Sequence, residues 1–137
     1  MKISACMIVK NEEENILNCI KSFKEYMTEI IVVDTGSTDR TIELAEKMGA
    51  KVYSIPWQED FAAAKNYAIA KAQGDWILFL DADEYFSKKT MKNVYHWLLK
   101  HYCNYDACLS KMINIDVDDG NNVLDFFYTV RFFRNTS

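Results

Sequence analysis

Asp81, Asp83 and Glu84 put three carboxylates within four residues, directly behind the apolar run Trp76-Ile77-Leu78-Phe79-Leu80. If the two aspartates keep an extended backbone they point to the same side, about 6.5–7 Å apart. At an effective dielectric of about 20, two unit charges at that spacing repel by roughly 2.5 kcal/mol. A fold gains nothing from this by itself. A hard divalent cation reverses the sign, because Mg²⁺ and Mn²⁺ take carboxylate and phosphate oxygens together. An isolated D-A-D is better read as a strand end solvated by water, so the elements around it decide.

Those elements alternate. Ile3 to Val9 is a continuous apolar strand of the kind buried on both faces. Asn11 is placed to cap a helix, with Glu14 as its capping-box partner and Ile16, Leu17, Ile20, Phe23 and Met27 at helical spacing. Glu29 to Val33 is a second strand, and Asp34-Thr35-Gly36-Ser37-Thr38-Asp39 a polar turn into a second helix that Gly49 closes. Lys51 to Ile55 is a third strand, followed by an alanine-rich helix from Phe61 to Ala72 capped by Asp60. After the strand carrying Asp81, Ser87 caps a helix over Lys88 to His101 with Met91, Val94, Tyr95 and Leu98 inward. Ala107 to Ile115 and Val123 to Phe133 are strands joined by the turn Asp116 to Asn122. The expected fold is α/β: a mainly parallel sheet with flanking helices, then a C-terminal β-hairpin.

In such sheets ligands bind beyond the carboxyl ends of the strands. Lys10-Asn11, Asp34 to Thr38, Trp57 to Asp60 and Asp81 to Glu84 each follow a strand, so all fall on one edge. Helix N-termini there favour anions.

Composition narrows the classes. At 137 residues the chain fits one domain, with three Trp, eight Tyr and eight Phe for its core. One proline and no low-complexity stretch argue against disorder, and the net charge of −4 argues against nucleic acid as a partner. Cys6, Cys19, Cys103 and Cys108 form no CxxC pair or zinc spacing and are read as reduced thiols of a cytoplasmic protein. The run Ile3 to Val9 is too short for a signal peptide or a membrane span. Asn135-Thr136-Ser137 matches a glycosylation sequon at chance level, and His96 and His101 do not share a helix face for zinc. Asp116 to Gly120 brushes a calcium-loop pattern, but its glycine comes one position early. Neither G-x-G-x-x-G nor G-x-x-x-x-G-K-[ST] occurs, which removes dinucleotide and P-loop enzymes. A sugar nucleotidyltransferase generally has a Gly-rich segment where this chain has Lys10-Asn11-Glu12-Glu13.

Four blocks in order, Met7-Ile8-Val9-Lys10-Asn11-Glu12-Glu13, Val32 to Asp39, Ala63-Ala64-Lys65-Asn66-Tyr67-Ala68 and Leu80-Asp81-Ala82-Asp83-Glu84, resemble family 2 glycosyltransferases. Val130-Arg131-Phe132-Phe133-Arg134-Asn135 resembles a segment of one branch. The resemblance implies a Rossmann-like GT-A fold over residues 1–137, with nucleotide-binding core 1–86 and helix plus hairpin 87–137. It implies metal-assisted, inverting transfer of a sugar from a nucleotide-sugar donor, UDP-sugar first, to an unidentified acceptor. Asp34 would recognise the base beside the backbone of Met7 to Val9, and Lys65 would contact the nucleotide. Asp81 would lie near ribose and metal, Asp83 would ligate Mn²⁺ or Mg²⁺, and Glu84 would organise the metal surroundings or the sugar. The acceptor's general base is expected from an aspartate well downstream. Asp116, Asp118, Asp119 and Asp125 are the candidates considered, and the first three read as turn residues. The chain thus resembles the donor-binding half of a longer enzyme. The alternative is a non-catalytic nucleotide-sugar-binding module. Aromatic residues from Phe126 to Phe133 would expose apolar surface for a missing segment or a second copy to cover.

Overall fold

A computed structural model describes residues 1–136, so Ser137, the last residue of the sequon, lies outside the described residues. In chain order the elements are β1 (Ile3–Val9), α1 (Ile16–Lys21), β2 (Glu29–Asp34), α2 (Thr41–Lys47) and β3 (Lys51–Ser54). They continue with α3 (Phe61–Lys71), β4 (Trp76–Phe79), α4 (Lys88–His101), β5 (Ala107–Asp116) and β6 (Asn122–Arg134). One six-stranded sheet runs β3-β2-β1-β4-β6-β5. The first four strands are parallel; β6 runs antiparallel to β4 and β5 antiparallel to β6.

Apolar residues without alternation dictate this arrangement. β1 and β4 have a neighbour on each edge and are buried almost throughout. Ile3, Ala5, Met7, Val9, Val32, Trp76, Leu78 and Leu80 face a core completed by Ile16, Ile20, Ala45, Met91 and Leu98. Cys6, Ile31, Val33, Ile77 and Phe79 face the other side, where Ala68 of α3 packs. Helices α1, α2 and α4 therefore cover one face and α3 the other. The small Ala64 and Ala68 are the buried residues of α3.

Asp60 and Ser87 cap α3 and α4 as expected, accepting the N–H of Ala63 at 3.1 Å and of Thr90 at 3.1 Å. Gly49 takes a left-handed φ of 87° after α2. Asn11 departs from expectation. It caps no helix: α1 starts only at Ile16, after Asn15, with no side-chain cap. The same helix stops at Lys21, where the Ser22 hydroxyl donates to the Cys19 carbonyl at 2.6 Å, and a 3₁₀ turn at Lys24–Tyr26 follows. Phe23 still reaches the core.

The order β1-β2-β3 then β4 means the chain returns to the opposite edge of β1, and Gly74 makes that return possible. Its N–H donates to Ser4 Oγ at 2.8 Å, and Ser4 Oγ donates to Glu29 Oε1 at 2.6 Å. A Cβ on Gly74 would stand 2.7 Å from Ser4 Oγ, 2.8 Å from Ser4 N and 2.9 Å from Lys2 O. Two of those atoms are backbone and cannot rotate away. Gly74→Ala is expected to cost about 1–3 kcal/mol by overpacking, measured as a lower urea midpoint with an unchanged slope.

Candidate functional site

The loops leaving β1 and β2 are stitched together by short polar side chains. Asn11, at φ 52°, donates its N–H to Ser37 Oγ at 2.9 Å and accepts the Thr38 N–H on Oδ1 at 2.8 Å. The Glu12 N–H donates to Thr41 Oγ1 at 2.8 Å, and Glu13 Oε2 accepts the Arg40 N–H at 3.0 Å. Asp39 accepts from the N–H of Glu13 and Thr41 and from the Thr41 hydroxyl. Burial pushes its carboxyl up, but these hydrogen bonds outweigh it and hold the group below the ordinary range. The position taken from the sequence as a cap is instead a clamp between two strand exits.

Asp34 is the last residue of β2, paired in register with Val9 of β1, and is only 2% exposed. Its Oδ2 accepts the N–H of Gly36 at 3.0 Å and of Ser37 at 2.9 Å. Its Oδ1 is buried and has no hydrogen-bond partner among the described residues. A buried carboxylate oxygen without a donor is costly and rare. Val9 meanwhile gives its carbonyl to Thr35, through the N–H at 3.0 Å and the hydroxyl at 3.2 Å. The Ile55 N–H donates to the Asp34 carbonyl at 2.9 Å. Ile55 also lines a cavity of about 240 Å³ with Pro56, Trp57, Asp60, Ala64 and Tyr67.

β4 ends at Phe79, opposite Cys6 of β1, and Asp81 follows two residues later. The ends of β2 and β4 are separated by one intervening strand, or about 10 Å. The extended D-A-D of the sequence reading does not form. Residues 81–84 turn, closed by the Glu84 N–H on the Asp81 carbonyl at 3.0 Å and the Asp81 N–H on Glu84 Oε1 at 2.9 Å. Ala82 is buried within the turn, while Asp81 and Asp83 are exposed. Glu84 Oε2 accepts from Arg131 Nη2 at 2.7 Å. The Cys19 thiol donates to the Asp81 carbonyl at 3.6 Å. Burial, then the charges of Glu84, Asp83, Asp81 and Glu12, push that thiol far up, so four carboxylates share its surroundings. Partial burial and Glu84 likewise push the Asp81 carboxyl up, against the pull of Arg131.

Lys65 stands on α3, with Nζ 5.0 Å from the Phe79 ring centre and 5.6 Å from that of Phe133. Among the described residues no ion pair joins it to Asp34, Asp81 or Asp83. Nor do three or more His, Cys, Asp or Glu side chains converge there to hold a metal ion unaided. Two exposed carboxylates at a strand end nevertheless suit a hard cation that draws its remaining ligands from phosphate and water.

The sequence profile of glycosyl transferase family 2 matches residues 4–136. The chain belongs to glycosyl transferase family 2. Its sheet and flanking helices are the GT-A architecture of solved family 2 enzymes. An uncharacterized glycosyltransferase of Rickettsia conorii is 40% identical over 114 residues, 83% of this chain and 39% of that protein. A TPR repeat-containing protein of Synechococcus elongatus is 53% identical over 83 residues, 61% of this chain and 21% of its own length. S. aureus TarS 1-349, solved in complex with UDP-GlcNAc, superposes with a TM-score of 0.65 at 28% identity, covering 80% of this chain and 33% of that one. Glucosyl-3-phosphoglycerate synthase of Mycobacterium tuberculosis, in complex with Mn²⁺, UDP and glucosyl-3-phosphoglycerate, gives 0.54 at 30%, covering 61% and 35%. The chain thus spans between about a fifth and two fifths of the length of these curated relatives.

The sequence reading missed the place of Arg131 beside the turn, and it missed Asp106 altogether. Arg131 reaches the Asp81–Glu84 turn from β6, and only knowing that β6 pairs with β4 reveals it. Asp106 is a further downstream carboxylate, and it pairs with Arg134 at 3.0 Å. The loop clamp yields a direct expectation. Asn11→Ala removes the Thr38 hydrogen bond and the short polar side chain that makes a left-handed backbone tolerable at this position. It should lower stability by about 1–3 kcal/mol, read by urea unfolding, and should speed amide exchange at Ser37 and Thr38.

Proposed function

We propose that the chain is the donor-binding part of a metal-assisted, inverting glycosyltransferase whose donor is a UDP-sugar. The observation that carries this is the orphaned, buried Oδ1 of Asp34, one strand away from the Asp81–Glu84 turn on the same sheet edge. A carboxylate oxygen accepts, so its ligand must donate. The imide N–H of uracil supplies such a donor, whereas cytosine presents an acceptor at the equivalent ring position. A nucleotide with its base at Asp34 and its diphosphate along the edge would bring phosphate oxygens toward Asp81 and Asp83. The complexes of TarS with UDP-GlcNAc and of the synthase with Mn²⁺ and UDP support this assignment by likeness.

In this reading Asp83 and Asp81 hold Mn²⁺ or Mg²⁺, which would offset the charge gathering on the diphosphate as the sugar departs. Asp34 selects the base, and the Val9 backbone, tied to Thr35, forms the wall beside it. Lys65 is held by aromatic rings over the sheet as a point charge for the nucleotide. Inversion also needs a base for the acceptor hydroxyl. Four of the five downstream carboxylates are otherwise engaged. Asp116 accepts the Asp118 N–H, Asp119 accepts from Asn122, Asp125 accepts from Asn114, and Asp106 pairs with Arg134. That engagement favours a second reading, a donor-binding module without transfer of its own. A glycoside product formed by this chain alone would exclude it.

The described cysteines are all free, which suits a cytoplasmic setting, and among the described residues no helix is long and apolar enough to cross a membrane. Calorimetric titration with UDP, GDP, dTDP and CDP tests the donor assignment. UDP is expected to bind saturably, tighter with Mn²⁺ than with chelator, and CDP much more weakly. Asp83→Asn should remove the Mn²⁺ effect without moving the unfolding midpoint. Absence of saturable binding by any nucleotide refutes the reading.

The hairpin is assigned a second copy of the chain as its partner. Cross-strand pairs Leu109–Val130, Lys111–Tyr128 and Ile113–Phe126 lie on one face, and their five apolar members are 44–63% exposed. With Leu124 they expose on the order of 500 Å², a size at which an apolar patch is often functional and most of the core of an interface burying about 800 Å² per partner. Sedimentation equilibrium is expected to show a dimer that Phe126→Glu dissociates. A wild-type monomer at high micromolar concentration would assign this face to a different occupant.

A further inference from the structure

The Asp81–Glu84 turn is held from a distant part of the chain. Glu84 divides its carboxylate: Oε1 accepts the Asp81 N–H at 2.9 Å, and Oε2 accepts from Arg131 Nη2 at 2.7 Å. Arg131 lies 47 residues further along, on the β6 segment beside the end of β4, where Phe132 pairs with Leu78. The two side chains are only 19% and 14% exposed, so this ion pair is largely withdrawn from water. Arg131 Nε is in addition buried with no hydrogen-bond partner among the described residues. A fold that needed only packing here would do as well with an apolar pair, which leaves no charge to desolvate and no donor unsatisfied. The charge therefore answers to something other than packing. What it touches is the one carboxylate that closes the turn presenting Asp81 and Asp83.

We propose that Arg131 is a positioning residue: through Glu84 it fixes the turn that presents Asp81 and Asp83, so cation-dependent nucleotide binding requires β6 to be docked on β4. This rests on the donor-site reading above and adds to it a dependence on the hairpin strand. Arg131 carries no ligand role in it. The geometry also makes the chemistry of the cation at position 131 matter. A guanidinium offers fixed, planar donors, whereas an ammonium at the same place supplies charge without that geometry.

The test uses the full chain as wild type and as Arg131→Met, Arg131→Lys, Glu84→Gln and the Arg131→Met/Glu84→Gln double variant. UDP affinity is measured by calorimetry with Mn²⁺ and with chelator, Mn²⁺ alone by electron paramagnetic resonance, and folding by urea unfolding. Partners that orient metal ligands are typically worth 10–100-fold in metal affinity. Arg131→Met and Glu84→Gln are each expected to weaken Mn²⁺ binding and the Mn²⁺ enhancement of UDP binding about tenfold or more, leaving metal-free UDP binding unchanged. Arg131→Lys should recover part of the loss. The double variant should be no worse than the weaker single one, because both remove the same device. An unchanged Mn²⁺ dependence in folded Arg131→Lys and Glu84→Gln overturns the proposal, and so do losses that simply add. Equal weakening with and without metal, alongside a lower urea midpoint, assigns the pair to folding alone and also overturns it. Wild-type UDP binding that ignores Mn²⁺ defeats the metal reading itself, an outcome recognisable before any variant is made.

Discussion

A strand with neighbours on both edges and helices over both faces can place polar side chains only at its ends. β1 and β4 are such strands. Burying a polar group midway along either would need a hydrogen-bond partner inside the sheet core, and few exist there. Ser4 is satisfied by Gly74 and Glu29 near the amino ends of the strands, whereas Trp76 Nε1 at the start of β4 is buried without a hydrogen-bond partner among the described residues. Asp34, Asp81 and Asp83, by contrast, lie at or beyond the carboxyl ends of β2 and β4. Chemistry thus collects there as a consequence of packing, before any ligand is considered.

Collecting polar groups differs from organising them. The exits of β1 and β2 are cross-linked by Asn11, Glu12 and Glu13 to Ser37, Thr41, Asp39 and Arg40. Gly36 and Ser37 take one oxygen of the Asp34 carboxylate and leave the other without a donor. In the proposed donor site the unsatisfied atom would serve as a preformed acceptor, since a ligand donor there would find no protein bond to break. The burial of Asp34 and its free oxygen are two sides of one arrangement.

The sequence made the helix caps at Asp60 and Ser87, the left-handed Gly49 and the hairpin turn legible, because each depends on residues within four positions. Asn11 was misread for an instructive reason. Asparagine satisfies both a helix cap and a left-handed loop residue, and Glu14 at capping-box spacing favoured the first. Only the position of Thr38, set by β1–β2 pairing, decides for the second. The turn at D-A-D is not legible in the sequence, because nothing in the apolar run announces that Ala82 will pack inward and Glu84 fold back on the Asp81 N–H. Arg131 was invisible as a member of the site, since its role depends on an antiparallel register between segments about fifty residues apart.

The electrostatics of the site look different once that turn is known. Asp81, Asp83, Glu84 and Glu12 all act on the space around Cys19, and Arg131 is the cation that acts on Asp81. Arg131 is committed to Glu84 at 2.7 Å, so this pair is locally neutral. The two exposed aspartates have no ion pair among the described residues, and Lys65 sits over Phe79 and Phe133 instead of reaching either. The protein could have neutralised them with a second arginine at little cost, as surface pairs are worth only about 0–1 kcal/mol. It instead places its one nearby guanidinium where it braces the turn. In the proposed donor site, this arrangement leaves both aspartates available to a cation rather than spent on an ion pair within the chain.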